Sequence, residues 1–340
     1  MSESRTNTIP DQVVAWHTPG MDAHTASCAY GAVVWLLALM YGAALAALPV
    51  DVFLDRDNYL TYASDSLGIL VRNFSGGPIS VLANEPLFLL INIGLSSFLS
   101  PETVVRSLIF LSATVVARFV LRKDPRQFVW LLFFLLVPQV IKNHIVHLRQ
   151  GVAIAVFLLG WNIRSVSLRW MLLLMAAFIH ASFVFVIGLL MMTKIVQRMR
   201  FAADIQMLAF VSAGIVVGLG MGWLAQMVGA RQGESYAFDG GAASGLGFVF
   251  WLFVLALFVL QGKTFMQRNA FPVSALVLYL ATYFLVEVTA RIFESSVIFV
   301  LLAGLLLTSW RRAAFLTAIL FYVCLSYLLR LNQPWLGFAT

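Results

Sequence analysis

Long apolar runs divided by short basic loops leave this chain few ways to fold. Runs near 28–50, 103–121, 127–141, 149–163, 205–228, 245–261, 271–290, 292–309 and 313–330 carry few charges. Only helices and closed barrels satisfy their backbone inside lipid, and these runs lack the alternation of a barrel strand. They read as membrane helices. Charged residues make up 11% of the chain, against about 25% in soluble domains. The fold class is therefore an all-α polytopic membrane protein, with about 10–12 transmembrane helices once broken runs are counted.

Two stretches do not fit a simple span. Residues 168–194 form one long apolar run interrupted by His180-Ala181-Ser182, and they read as a hairpin of two half-spans. Residues 51–100 open on a charged loop, pass Gly76-Gly77-Pro78 and reach Glu85-Pro86 before a short apolar run. That run, 85–99, gives only about 22 Å of helix, short of a core of about 30 Å. It reads as re-entrant or in-plane, where irregular backbone lines a cavity.

Charge sets the orientation. With a cytoplasmic N-terminus and the hairpin, inside loops hold 13 of the 22 lysines and arginines and outside loops hold eight, with Arg5 in the tail. Cytoplasmic loops are the basic ones. Residues 1–27 lack a signal-peptide pattern and read as a cytoplasmic tail. No linker divides 28–330, which reads as a single transmembrane domain. Cys28 and Cys324 lie in apolar runs and imply no disulfide framework. The net charge of +7 sits in short loops between apolar runs, which serves orientation and excludes a nucleic-acid surface.

On this topology the outer face collects acids, bases and a histidine in one half of a bundle. Arg149 opens an apolar helix beside Gln150, and Arg291 opens another. Charge in such surroundings marks function by default, and two guanidinium forks facing one cavity suit phosphate. The bland alternatives are a snorkelling anchor for Arg149 and an ion triad of Arg291 with Glu287 and Glu294. His180, two residues before Ser182, could orient a hydroxyl or take its proton; otherwise it is a turn histidine satisfied by a carbonyl. His144 and His147 stand at i and i+3 with no third ligand nearby, so no metal is expected. Asp55-Arg56-Asp57 offers a carboxylate in the first outer loop. Arg231 to Gly241, with Tyr236, is a glycine-rich polar loop that reads as a lid or a solvated turn.

The order of these residues resembles a known family. Asp57 and Tyr62, then Glu85-Pro86-Leu87-Phe88, then Arg149-Gln150-Gly151-Val152-Ala153, then His180-Ala181-Ser182, then Arg291 resemble the EpsG-like branch of the Wzy polysaccharide polymerases over roughly residues 50–310. Arg149 to Gly160 also fits an Arg-x10-Gly pattern described in some Wzy proteins. Arg231 departs from it, because Gly241 comes one residue early. The resemblance implies a GT-C-like glycosyltransferase, inverting and without metal or cofactor, in the bacterial inner membrane with its site facing the periplasm or exterior. It implies undecaprenyl-diphosphate-linked oligosaccharide as substrate, and membrane lipids, a chain-length regulator and a flippase as partners. On that basis Arg149, Arg291 and Arg231 bind diphosphate, and His180, Asp57 or Glu85 supplies the base. Gln150, Ser182 and Tyr236 position substrate. Two other readings remain open: a polyprenyl-phosphate-sugar transferase using Asp55 and Asp57, and a transporter of lipid-linked oligosaccharide, for which the lack of matching broken helices in two halves is unfavourable.

Overall fold

The structure, a computed structural model, describes residues 24–227, 245–285 and 289–339. Seventeen α-helices lie among the described residues. The first five are α1 (His24–Ala46), α2 (Arg56–Ser75), α3 (Pro78–Ala83), α4 (Pro86–Ser96) and α5 (Pro101–Leu121). Then come α6 (Phe128–Leu135), α7 (Pro138–Ile145), α8 (Leu148–Asn162), α9 (Val166–Ile179) and α10 (Ser182–Arg198). The rest are α11 (Ala203–Met227), α12 (Leu246–Gln261), α13 (Lys263–Arg268), α14 (Ala270–Thr282), α15 (Thr289–Glu294), α16 (Val297–Gly304) and α17 (Ser309–Leu328). Proline opens α3, α4, α5 and α7, where its fixed φ suits a first turn and its missing N–H costs nothing.

The all-α membrane architecture is the one expected, but its helices are shorter than the apolar runs. By length and composition, segments of α1, α5 and α17 can each cross a membrane alone, and a bent pair raises the number to four among the described residues. That pair breaks before Pro138 and turns by 60°. The run at 271–290 stops as helix at Thr282, and the run at 292–309 is split between α15 and α16. The count of ten to twelve thus treats as spans several runs that are broken by prolines and by polar residues. Residues 51–100 supply no span of their own among the described residues. Its α4 has 11 residues, about 16 Å of helix.

Residues 168–194 fold as a hairpin. His180 is extended between α9 and α10 (φ −150°, ψ 125°). Lys194, near the end of α10, stacks over the ring of Trp170, near the start of α9, at 5.0 Å. The two legs therefore run back along each other. The leg α9 also runs antiparallel to α8, where a Cβ on Gly160 would stand 3.0 Å from the Leu172 side chain. Both turns of this three-helix run are thus fixed: 163–165 at one end of the bundle, 180–181 at the other.

The end holding residues 163–165 is the basic one. Lys123 shares a small pocket with Trp161 and Asn269. Gln197 donates to the Gln267 carbonyl, Lys263 pairs with Asp204 at 3.1 Å, Arg311 donates to Gln261, and Arg312 donates to Gln127. Lys123, Lys263, Arg311 and Arg312 are bases that the charge argument assigns to one side. One apolar core runs between the two ends, from Val34 to Phe338.

Candidate functional site

At the opposite end, three separate segments meet on one carboxylate. Glu85 is the residue before α4 and takes a left-handed backbone (φ 57°, ψ 52°). Pro86 disfavours a right-handed helical conformation for the residue before it, and a left-handed non-glycine residue persists only where its surroundings hold it. Here the hold is the side chain. Its Oε2 accepts a hydrogen bond from Arg149 Nη1. Its Oε1 meets His180 Nδ1 at 2.5 Å and accepts the Ala181 N–H at 3.3 Å. Glu85 and His180 are both buried.

Each partner arrives by a helix end. Arg149 is in the first turn of α8, and Gly151 lets that turn lie against α7: a Cβ there would stand 2.2 Å from the Asn143 carbonyl oxygen. His180 arrives at the hairpin tip. Tyr62, from α2, accepts from Arg149 Nη1 at 3.4 Å and offers its ring 5.3 Å from the guanidinium. Tyr59, one turn earlier and buried, lies within electrostatic reach of Arg149. Both tyrosines pack edge-on against Phe88 of α4. An ionised carboxylate can only accept, so Glu85 assigns the proton of the neutral imidazole to Nδ1 and leaves Nε2 as its basic nitrogen.

A second set lies beside the first. Gln150 donates to the Arg291 carbonyl at 2.7 Å and to Ser295 Oγ at 3.0 Å, and Ser182 Oγ meets Ser295 Oγ at 3.3 Å. Asn143 donates to the Glu294 carbonyl at 3.2 Å. Lys142 Nζ stands 3.5 Å from Glu294 Oε1. His147, between α7 and α8, is within electrostatic reach of Lys142, Arg291, His180 and Arg149 together. Lys142 on α7, Arg149 on α8 and Arg291 on α15 are thus all carried to this end of the bundle.

The structure brings together Glu85, Arg149 and His180, with Gln150, Ser182 and Arg291 alongside. Gln150 and Ser182 are buried and engaged with α15 and its following turn, so they brace the site from behind. The Arg291 side chain is exposed, and among the described residues it makes no salt bridge. The triad envisaged for it is not formed with Glu294, which pairs with Lys142 instead. Asp57 is exposed on α2, whose buried face carries Arg56, Tyr59 and Ala63. Arg231 and Tyr236, like Glu287, lie outside the described residues. Among the described residues no group of three metal-ligating side chains gathers.

Sequence reasoning missed Arg56. It is 2% exposed, its guanidinium lies 5.5 Å from the Phe53 ring centroid, and its Nε and Nη1 have no hydrogen-bond partner among the described residues. The signal was the spacing 56, 59, 63, 66, which is one helical face, hidden by the acidic neighbours of Arg56.

No curated protein and no solved structure matches this chain. A model of the EpsG family does, over residues 32–336. That match takes in every segment that meets on Glu85 and nearly the whole bundle around it, and the chain belongs to the EpsG family, a family of polysaccharide-polymerase-like membrane proteins.

Proposed function

We propose that this protein is a polysaccharide polymerase that joins undecaprenyl-diphosphate-linked repeat units at the outer face of the cytoplasmic membrane. The observation that carries the reading is the Glu85–His180 contact, with Arg149 on the other carboxylate oxygen. A carboxylate that orients Nδ1–H of a histidine leaves Nε2 ready to take a proton and stabilises the imidazolium that results. In the proposed reaction the acceptor sugar hydroxyl attacks the anomeric carbon of the donor chain and passes its proton to His180 Nε2. The bond from that carbon to the diphosphate oxygen breaks, and the diphosphate leaves with the bonding pair. Its growing charge is met by cationic side chains of Arg149 and Arg291. This is a single displacement, so the anomeric centre inverts, as in a GT-C-like transferase. Arg149 Nη1 is committed to Glu85 and Tyr62, which leaves Nη2 to serve the substrate.

The test is polymerisation by the purified full chain with lipid-linked repeat units. His180→Ala is expected to insert normally and to lose about 10²–10⁴ in rate. His180→Gln keeps hydrogen bonding without basicity and is expected to restore little. A fully active His180→Gln would move the base elsewhere. In cells, deletion of the gene should leave single lipid-linked repeats on the outer face; a transporter deletion would leave none there.

A further inference from the structure

The mechanism just proposed leaves one buried acid and one half-exposed base unused: Glu294 and Lys142. We infer that Lys142 is a third cation of the diphosphate site and that Glu294 sets it in place; the inference rests on the diphosphate reading and adds a residue to it.

Four observations carry it. First, the Lys142 side chain is 36% exposed while Glu294 is 10% exposed, so the carboxylate is fixed in the bundle and the ammonium is accessible. Second, the pairing is loose, 3.5 Å to one oxygen, and it uses one of the three ammonium donors. A loose, partly solvated pair contributes little to stability, yet lysine in apolar surroundings is costly to keep. Third, Lys142 is locked into the site's backbone. Its carbonyl accepts the N–H of both Val146 and His147 at 2.9 Å, and its neighbour Asn143 holds the Glu294 carbonyl. Fourth, the charges do not balance. Arg149 is matched by Glu85. Glu294 pairs with Lys142, and among the described residues Arg291 makes no salt bridge. Among the described residues the Arg291 charge is therefore without an ion-pair partner where a leaving diphosphate gathers negative charge.

Glu294 and Arg291 lie three residues apart on α15, within reach along the helix, Glu294 buried and Arg291 exposed. Glu294 therefore draws the Lys142 ammonium toward Arg291. Two cations from α7 and α15 then flank the leaving group, opposite the Glu85–His180 pair from α4 and the hairpin. Lys142 would touch substrate; Glu294 is a positioning residue that acts through it.

Inorganic diphosphate is the probe, because its binding can be read without any catalysis. Purified full-length protein in detergent is titrated with diphosphate, and thermal stabilisation gives the apparent affinity. Wild type should be stabilised. Lys142→Met should weaken binding about 10–100-fold, the equivalent of a lost charge-assisted hydrogen bond, and Lys142→Arg should bind like wild type. Lys142→Gln serves if the methionine variant does not fold. Glu294→Gln should weaken binding in the wild-type background and change nothing further in Lys142→Met, which a merely structural role would not produce. Equal diphosphate affinity in wild type and Lys142→Met overturns the inference, as does a wild type that binds no diphosphate. Polymerisation measured on the same proteins separates the two claims. Lys142-dependent binding without polymerisation sinks the polymerase reading alone; polymerisation unaffected by Lys142→Met sinks the Lys142 role alone.

Discussion

Glu85 is a buried charge that depends on two partners from distant parts of the chain. Removing one partner of a buried ion pair leaves the other uncompensated, at a cost of about 3–5 kcal/mol. Arg149→Met and Glu85→Gln should each lower the melting temperature sharply, while the double variant Glu85→Gln/Arg149→Met should regain much of the loss. Arg149→Lys keeps the charge but not the planar guanidinium, whose Nη1 holds Glu85 and Tyr62 while Nη2 is left for substrate, so it should fold better than Arg149→Met and still lose most polymerisation. Thermal melts and polymerisation of the four variants check this; additive losses in the double variant would show that the pair is not coupled. The residue types of this site were legible in the sequence, because a carboxylate, a guanidinium and an imidazole in apolar runs stand out. Their pairing was not. Glu85 and His180 are separated by 95 positions, and nothing local to either says which acid meets which base. Asp57 had the same claim on paper as Glu85. In the structure Asp57 is exposed, because the buried face of α2 carries Arg56, Tyr59 and Ala63 instead.

At the scale of elements, glycine sets how closely α7 and α8 approach. The Asn143 carbonyl occupies the space where a side chain on residue 151 would begin. Gly151→Ala should therefore push α8 away from α7, costing about 1–3 kcal/mol by overpacking and lowering activity through Arg149 and Gln150, its neighbours. Gly188→Ala on α10 has nothing within 4 Å of the added carbon and should be neutral or slightly stabilising, since glycine is a poor helix former. Comparing the two melting temperatures separates a close-packing effect from helix propensity. The hairpin was legible because a histidine and a serine interrupt an apolar run long enough for two legs. The break in α6–α7 was legible only in hindsight, from Pro138. The apolar run continues past it, and hydropathy does not register a 60° bend.

Across the whole molecule, the bases Lys123, Lys263, Arg311 and Arg312 and the Glu85 site occupy opposite ends. Charge counting alone anticipated that separation. Single cysteines at Lys123, Arg198 and Arg312 should label only from the cytoplasmic side in an otherwise cysteine-free chain, and cysteines at Arg149 and Arg291 only from the outside. Outside labelling at 198 would break the orientation argued from the hairpin. The chain also makes its acid long before its base. Glu85 leaves the ribosome 64 residues ahead of Arg149 and still earlier than His180. A helix of 11 residues headed by an uncompensated carboxylate has no favourable resting place in lipid. Biogenesis must then hold α4 at the translocon or the membrane surface until α8 arrives with its guanidinium. A nascent chain stopped between residues 86 and 148 would expose that helix to quality-control proteases, whereas one released after the hairpin would already carry the completed trio.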